Sequence, residues 1–270
     1  MSIGQNIKAL REERGLTQAQ VAEALDVSFQ AVSSWERDEY RPETDKLIRL
    51  AELLGTSVSS LVEEKKPFKT REAIYDWEHM KTFVKTTARN FKLQNTLKAV
   101  DYAVEAHEGQ KRKKSTIPYI YHPLNLACHA LSMGIREDEI LAACLLHDVV
   151  EDCGKRYEEL PVNEEAKELV RLLTHEKTTD EDRDQVMKMY YDAIAGNPKA
   201  ALVKCIDRCN NLTTMSWGLS RDRIYRMIQE TEAYFPRLLR VIKAETEFNN
   251  AAWLLQYQME SMLDIYKRLL

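Results

Sequence analysis

Apolar positions recur every three or four residues along almost the whole chain, and that period predicts helices. In the first 64 residues it predicts five short ones, at about 3–14, 17–25, 28–37, 43–55 and 57–63. Gly15, Asp26-Val27, the 38–42 stretch and Gly55 punctuate them. Thr17 with Gln20 three positions on reads as a capping box, and Ser28 as the N-cap of the third helix. Residues 65–71 begin Lys65-Lys66-Pro67-Phe68-Lys69-Thr70 and read as a linker, charged and holding a proline. Beyond it the pattern predicts further helices at about 72–92, 95–108, 123–134, 136–152, 163–174, 180–195, 198–213, 220–244 and 246–268. Pro123 is expected at the first position of its helix. The one non-helical segment of interest runs from Gly109 to Tyr121, basic and then Pro-aromatic. The expected fold is all-α, with one domain at 1–64 and a larger one at 72–270.

Composition narrows this only a little. The chain has 270 residues, 44% apolar and 30% charged, which is ordinary for a soluble globular protein. Eight Gly and seven Pro are few for the length and favour long helices. No run of about 18 apolar residues is present, so no membrane span is expected. The five cysteines (128, 144, 153, 205, 209) form no Cys-x-x-Cys pair and lie mostly in apolar runs. They read as reduced thiols, and with no signal-peptide pattern at the start the expected place is the cytoplasm. A net charge of −4 predicts no general affinity for nucleic acid.

Candidate chemistry concentrates in Leu145-Leu146-His147-Asp148-Val149-Val150-Glu151-Asp152, which continues the apolar run Ile140 to Cys144. Four ionisable groups in a buried helix are costly unless something compensates them, and a divalent cation is the simplest compensator. If the helix is continuous, His147 and Glu151 share one face and Asp148 and Asp152 the next. That would give two ligands with two carboxylates one turn away, beside an attacking water. His122, in Pro118-Tyr119-Ile120-Tyr121-His122-Pro123, and Asp207, in the apolar stretch 201–211, complete a mixed nitrogen and oxygen set. Such a set suits Mn²⁺ or Fe²⁺ better than a closed structural zinc site.

Two resemblances follow. Leu16-Thr17-Gln18-Ala19-Gln20 through Val27-Ser28 to Val32-Ser33-Ser34-Trp35-Glu36-Arg37 resembles the Cro/cI-type (XRE) helix-turn-helix family over the first 64 residues. The resemblance implies that the third helix enters the major groove, with Gln30, Ser33 and Ser34 toward base edges, Ser28 at its start and Gln18 on a phosphate. It also implies that Arg11 pairs with Glu36. Asp26 and Asp38 stand where the family often has glycine, and Asp tolerates positive φ better than most residues. Residues 1–64 carry seven Lys or Arg against twelve Asp or Glu, so one copy would bind DNA weakly and a homodimer on a two-fold site is expected.

The order His122, His147-Asp148, Asp207 is the pattern of the HD phosphohydrolases. With Ala106-His107-Glu108-Gly109-Gln110-Lys111-Arg112 and Ile206-Asp207-Arg208-Cys209-Asn210-Asn211, residues 95–245 resemble the hydrolase domain of the RelA/SpoT homologues. Those enzymes remove the 3′-pyrophosphate of (p)ppGpp with Mn²⁺, and the chain's length makes it similar to the small, hydrolase-only members. Carried onto matching positions, the resemblance makes His122, His147, Asp148 and Asp207 metal ligands, and Glu151 and Asp152 the groups that orient and deprotonate water. Arg112 would stack on the base or meet the 5′-phosphates, Lys113 and Lys114 would add charge, and Asn211 and Tyr234 would contact the nucleotide. The loop after Arg112 lacks the family's small Gly-acid turn, which leaves the base open. His79, His107, His129 and His175 are expected to be structural. A regulator that senses a nucleotide without turnover, or another HD nucleotidase or phosphodiesterase, are the rival readings.

Overall fold

A computed structural model describes residues 2–62, 76–112, 116–175, 183–215 and 219–269. The chain divides into two compact units, Met1–Arg71 and Glu72–Leu270. The linker residues 65–71, with Lys113 and Lys114, lie outside the described residues.

The first unit holds α1 (Ile3–Glu13), α2 (Gln18–Leu25), α3 (Phe29–Glu36), α4 (Thr44–Leu53) and α5 (Val58–Val62). Polar caps set their boundaries. The Thr17 hydroxyl accepts from Gln20 N while the Gln20 side chain returns to the Thr17 amide, and Ser28 Oγ accepts from Ala31 N at 3.1 Å. Asp26 and Asp38 adopt left-handed φ values of 53° and 58°, so both turns form without glycine. Asp38 is held there by its own carboxylate, which accepts from Gly4 N at 2.8 Å and from the Ser2 hydroxyl. Ile7, Val21, Leu25, Val32, Leu50, Leu54 and Leu61 close a small core.

The second unit is built on α6 (Trp77–Asn90), α7 (Gln94–Ala106), α8 (Tyr121–Ser132), α9 (Asp138–Leu146), α10 (Val149–Cys153), α11 (Glu164–Leu173), α12 (Arg183–Ala195), α13 (Pro198–Thr214), α14 (Arg221–Ala244) and α15 (Asn249–Leu269). Every residue from Ile140 to Leu146 is buried, as an all-round apolar helix requires. Around α9 pack α7, α8, α11 and α13, and α13 in turn carries α12, α14 and α15. Asp138 ties the layers together, because its carboxylate accepts from the amides of Asn95 (2.8 Å) and Thr96 (2.7 Å) and so caps α7 from the start of α9.

Two local expectations are corrected. Pro123 is the third residue of α8, not the first, and it still costs nothing there because N–H groups of the first turn have no intrahelical acceptor. The helix expected over 136–152 is two helices. Asp148, at φ −98° and ψ −7°, turns the chain out of α9, and the His147 ring takes up a last-turn carbonyl by bonding Nδ1 to Cys144 O at 3.0 Å. Glu151 and Asp152 therefore belong to the short α10, capped by Asp148, and the Asp152 amide donates to Asp148 O at 2.8 Å, so Asp148 and Asp152 stay one turn apart while His147 ends α9.

Candidate functional sites

Three separate pieces of the second unit deliver four groups to one buried point. His122 comes from the first turn of α8, His147 and Asp148 from the break between α9 and α10, and Asp207 from the middle of α13. Ligand atoms of His122, His147 and Asp207 all lie within 4.8 Å of one another. Asp148 Oδ2 stands 3.0 Å from His147 Nε2 and 3.5 Å from His122 Nε2, and Asp207 Oδ1 stands 3.3 Å from His122 Nε2. Convergence depends on the break, which points His147 and Asp148 into the same space.

Neighbouring groups fix which atoms face inward. His122 bonds Nδ1 to Asn210 Oδ1 at 2.6 Å, and His147 uses Nδ1 on Cys144 O, so both rings turn Nε2 to the centre. The Tyr119 hydroxyl donates to Asp148 Oδ2 at 2.7 Å, Asn211 Nδ2 donates to Asp207 Oδ1 at 2.6 Å, and Lys204 Nζ sits 3.3 Å from Asp207 Oδ2. Burial works against ionising Asp148 and Asp207, yet the imidazoles, with Lys204 for Asp207, hold both carboxyls well below the usual range. Burial likewise opposes a proton on His147, and Asp148 and Asp207 overcome it and push its pKa up to about 9. Burial and the Asp148 carboxylate drive the Tyr119 phenol far up, which keeps it a donor.

This donor set fits a divalent cation. His147 Nε2 is buried with no hydrogen-bond partner at bonding geometry, and two carboxylates meet it, of which Lys204 offsets Asp207 from its far side. Two imidazole nitrogens and two carboxylate oxygens match the preferences of first-row divalent metals.

Beside the four groups opens a cavity of about 440 Å³. Glu151, Asp152 and Asn211 line it, as does His175, which sequence reasoning took for a structural residue. Arg183 and Lys204 bring positive charge to the same wall. Burial opposes the charge on Lys204, but Tyr190 and Asp207 hold its pKa well above the ordinary value. Tyr234 is a correction. It is not among the lining residues; its ring stacks on Tyr191 with centroids 4.3 Å apart and packs against the core, and Tyr191 is the ring that reaches the cavity. Arg112 is anchored by a 2.9 Å bond to Thr214 Oγ1, 5.7 Å from the centroid of the Tyr119 ring, and does not itself line the cavity. Lys113 lies outside the described residues. Tyr119 and Asn210 were both inside recognisable sequence words, but no role was assigned to either.

In the first unit, Gln30 is exposed on α3 while Ser33 and Ser34 are half-buried. Arg37 donates to the Ser33 hydroxyl, and the Ser34 hydroxyl donates to Ala31 O at 2.8 Å. Phe29, half exposed at the start of α3, joins this surface without having been singled out. Gln18 Nε2 donates to Glu36 Oε2 at 2.7 Å, so its amide is anchored before any ligand arrives. Glu36 also takes Arg11 Nε at 2.6 Å. Burial disfavours its charge, but Arg11 and Gln18 bring the carboxyl below its ordinary pKa.

Comparisons with known proteins agree with this division. Residues 7–61 match the helix-turn-helix family, and residues 99–238, more than half of the chain, match the HD domain family. A guanosine-3′,5′-bis(diphosphate) 3′-pyrophosphohydrolase, MESH1, of Xenopus tropicalis is 34% identical over 142 residues, 49% of this chain and 78% of that protein. An immunity repressor protein of Bacillus phage phi105 is 40% identical over 85 residues, 32% of this chain and 59% of the repressor. A solved structure of a metazoan ortholog of SpoT that hydrolyzes ppGpp aligns with a TM-score of 0.52 over 64% of this chain and 96% of that one, at 22% identity. That likeness shows a shared fold. The chain spans 22% and 25% of two longer bacterial pyrophosphohydrolases it also matches.

Proposed function

The chain belongs to the HD domain family, and on that footing we propose that it is a metal-dependent nucleotide pyrophosphohydrolase acting on (p)ppGpp or a related alarmone, joined to a DNA-binding module. The observation that carries this reading is the meeting of His122, His147, Asp148 and Asp207 around an unpartnered, buried His147 Nε2. Those four residues would hold the cation, with Mn²⁺ the favoured ion and Fe²⁺ the alternative. When bound, the cation supplies Lewis acidity toward the phosphoryl oxygens and the attacking water.

The chain's own residues supply the remaining chemistry. Glu151 and Asp152 line the cavity as carboxylates able to orient a water and take its proton. The water oxygen then bonds to phosphorus, the bond from phosphorus to the 3′-oxygen breaks, and the 3′-oxygen leaves as a hydroxyl once protonated. Lys204 and Arg183 meet the charge of the departing pyrophosphate. Asn211, which holds Asp207, has its amide oxygen left for the nucleotide. Arg112, bonded to Thr214 and 5.7 Å from the Tyr119 ring centroid, would engage the substrate from outside the cavity lining.

For the first unit the reading is sequence-specific DNA binding through α3, as a homodimer, with Gln30, Ser33 and Ser34 toward the bases and Ser28 and Gln18 at the backbone. All five cysteines are free thiols and no described helix is long and apolar enough to cross a membrane, which fits a cytoplasmic protein.

Incubation with Mn²⁺ and, separately, ppGpp, pppGpp and ppApp tests the reading. Pyrophosphate should be released from at least one by the native protein and from none by Asp148→Ala. Release from none by the native protein rejects the substrate class. The helix-turn-helix unit favours one further reading, a regulator that senses the nucleotide without turning it over. Operator affinity that shifts with an alarmone, in a protein that releases no pyrophosphate, would select it.

A further inference from the structure

A second cavity, about 490 Å³, lies between α8, α13 and α15. Asn210 lines it, whereas its neighbours Asp207 and Asn211 line the metal cavity. The volume is that of an ordinary small-molecule site. Its chemistry differs sharply from that of the metal cavity. Among the described residues that line it there is no Asp, Glu, Lys or Arg. The polar groups are neutral: the amides of Asn125, Asn210 and Gln258, the hydroxyls of Tyr121, Thr213, Tyr257 and Ser261, the Cys209 thiol and the His129 ring. Burial pushes His129 down, so its ring is neutral near pH 7.

Two features show binding capacity that the protein does not fully use. Gln258 Oε1 is buried with the His129 ring beside it, at a geometry short of a full hydrogen bond, so this acceptor is only weakly satisfied. Tyr257, on the same helix, leaves 71% of its surface exposed while still lining the cavity. An exposed ring beside a row of amides is the combination that stacks a planar heterocycle and reads its edge.

We propose that this cavity binds a neutral, nucleoside-like heteroaromatic molecule, with its ring on Tyr257 and its edge against Gln258, Asn125 and Asn210. A nucleotide fits poorly, because its phosphates would find no cation. A cationic ligand would find no carboxylate, and a plain hydrocarbon would leave the buried Gln258 acceptor poorly satisfied. Occupancy also reaches the metal centre. Asn210 Nδ2 donates to Asn125 Oδ1 at 2.8 Å, and Asn210 Oδ1 is the atom that holds His122 Nδ1. A base edge that competes for these amides loosens His122. Only this link rests on the proposed metal role of His122; binding to the cavity does not.

Calorimetric titration of guanosine and, separately, adenosine into the full-length metal-free protein tests the site, alongside Tyr257→Ala, Ser261→Trp and Asp148→Ala. Tyr257 is exposed, so its truncation spares the fold, and Ser261→Trp fills the space. One nucleoside should bind, with affinity lowered about tenfold or more in both α15 variants, the amount a lost stacking platform removes, and unchanged in Asp148→Ala. Saturation with it should weaken Mn²⁺ binding about fivefold, a modest coupling between two sites. Binding of neither nucleoside, or binding that Asp148→Ala removes and the α15 variants leave alone, overturns the site. Mn²⁺ affinity indifferent to a bound nucleoside overturns the link to His122. Neither measurement uses turnover, so an inactive hydrolase would not imitate either failure.

Discussion

His122 and Asn210 share a 2.6 Å hydrogen bond that settles which imidazole nitrogen is left for a cation. With Nδ1–H given to the amide oxygen, Nε2 faces Asp148 and Asp207. Asn210→Ala removes that constraint without touching a ligand. Loss of such a supporting partner typically costs 10–100-fold in metal affinity. Titration of Mn²⁺ into the variant should show a weakening of about that size, with the helical signal intact. An unchanged affinity would mean that packing alone orients the ring.

His147 gives a pH dependence with a definite sign. In the metal-free protein its folded pKa, about 9, lies above the ordinary value of roughly 6.5. The raised value stabilises the metal-free fold fully below about pH 6.5, and that contribution is lost as pH climbs through 9. A cation must displace the same proton. Its affinity should therefore rise with pH up to about 9 and level off above, with about one proton released per ion bound near pH 7.5. Calorimetry in buffers of differing ionisation enthalpy counts that proton, and release of none would remove His147 from the ligand set.

Arg11 and Glu36 make a buried pair at 2.6 Å that joins α1 to the end of α3, with Gln18 as third partner. Glu36→Ala leaves the Arg11 guanidinium with Leu16 O and the more exposed Glu12 carboxylate, so the cost falls below the roughly 3–5 kcal/mol of a fully stranded buried charge. Hydrogen-exchange protection of amides in α1 to α3 should fall accordingly, while α9 and α13, which share no partner with the pair, keep theirs.

The all-α architecture could be read from the chain because helix period, caps and breakers agree with one another. Thr17, Ser28 and even the unusual Asp26 and Asp38 act where their side-chain chemistry says they should. That His122, His147, Asp148 and Asp207 would meet was legible through their residue types and order. The break after Leu146 was not, since Val149 to Cys153 suits a continuing helix and only the convergence of His147 and Asp148 with His122 reveals why the chain turns. Tyr234 misled for a related reason. The resemblance placed it near the nucleotide, but a sequence match cannot say that its ring stacks on Tyr191, the ring that lines the cavity. Asn210 and Asn211 show the same limit, because adjacent residues on α13 bond different side chains, His122 and Asp207, and only coordinates assign each to its partner.

Gln30 is the residue on α3 best placed to separate base reading from mere attachment. It is exposed, and no hydrogen bond within the protein competes for its amide among those described, whereas Ser34 already donates to Ala31 O and Ser28 caps the helix. A Gln amide can pair twice with adenine, and one good contact of that kind is worth about 1–3 kcal/mol of discrimination. With duplexes selected from a random pool by the native protein, Gln30→Ala should lose about tenfold or more in affinity for the selected site and relax its preference at one base pair per half-site. Ser28→Ala should instead lower the stability of α3 by about 1 kcal/mol and weaken binding to all sequences alike. If Gln30→Ala weakens every duplex equally, the residue contacts the backbone, and the register of α3 in the groove must be turned by one position.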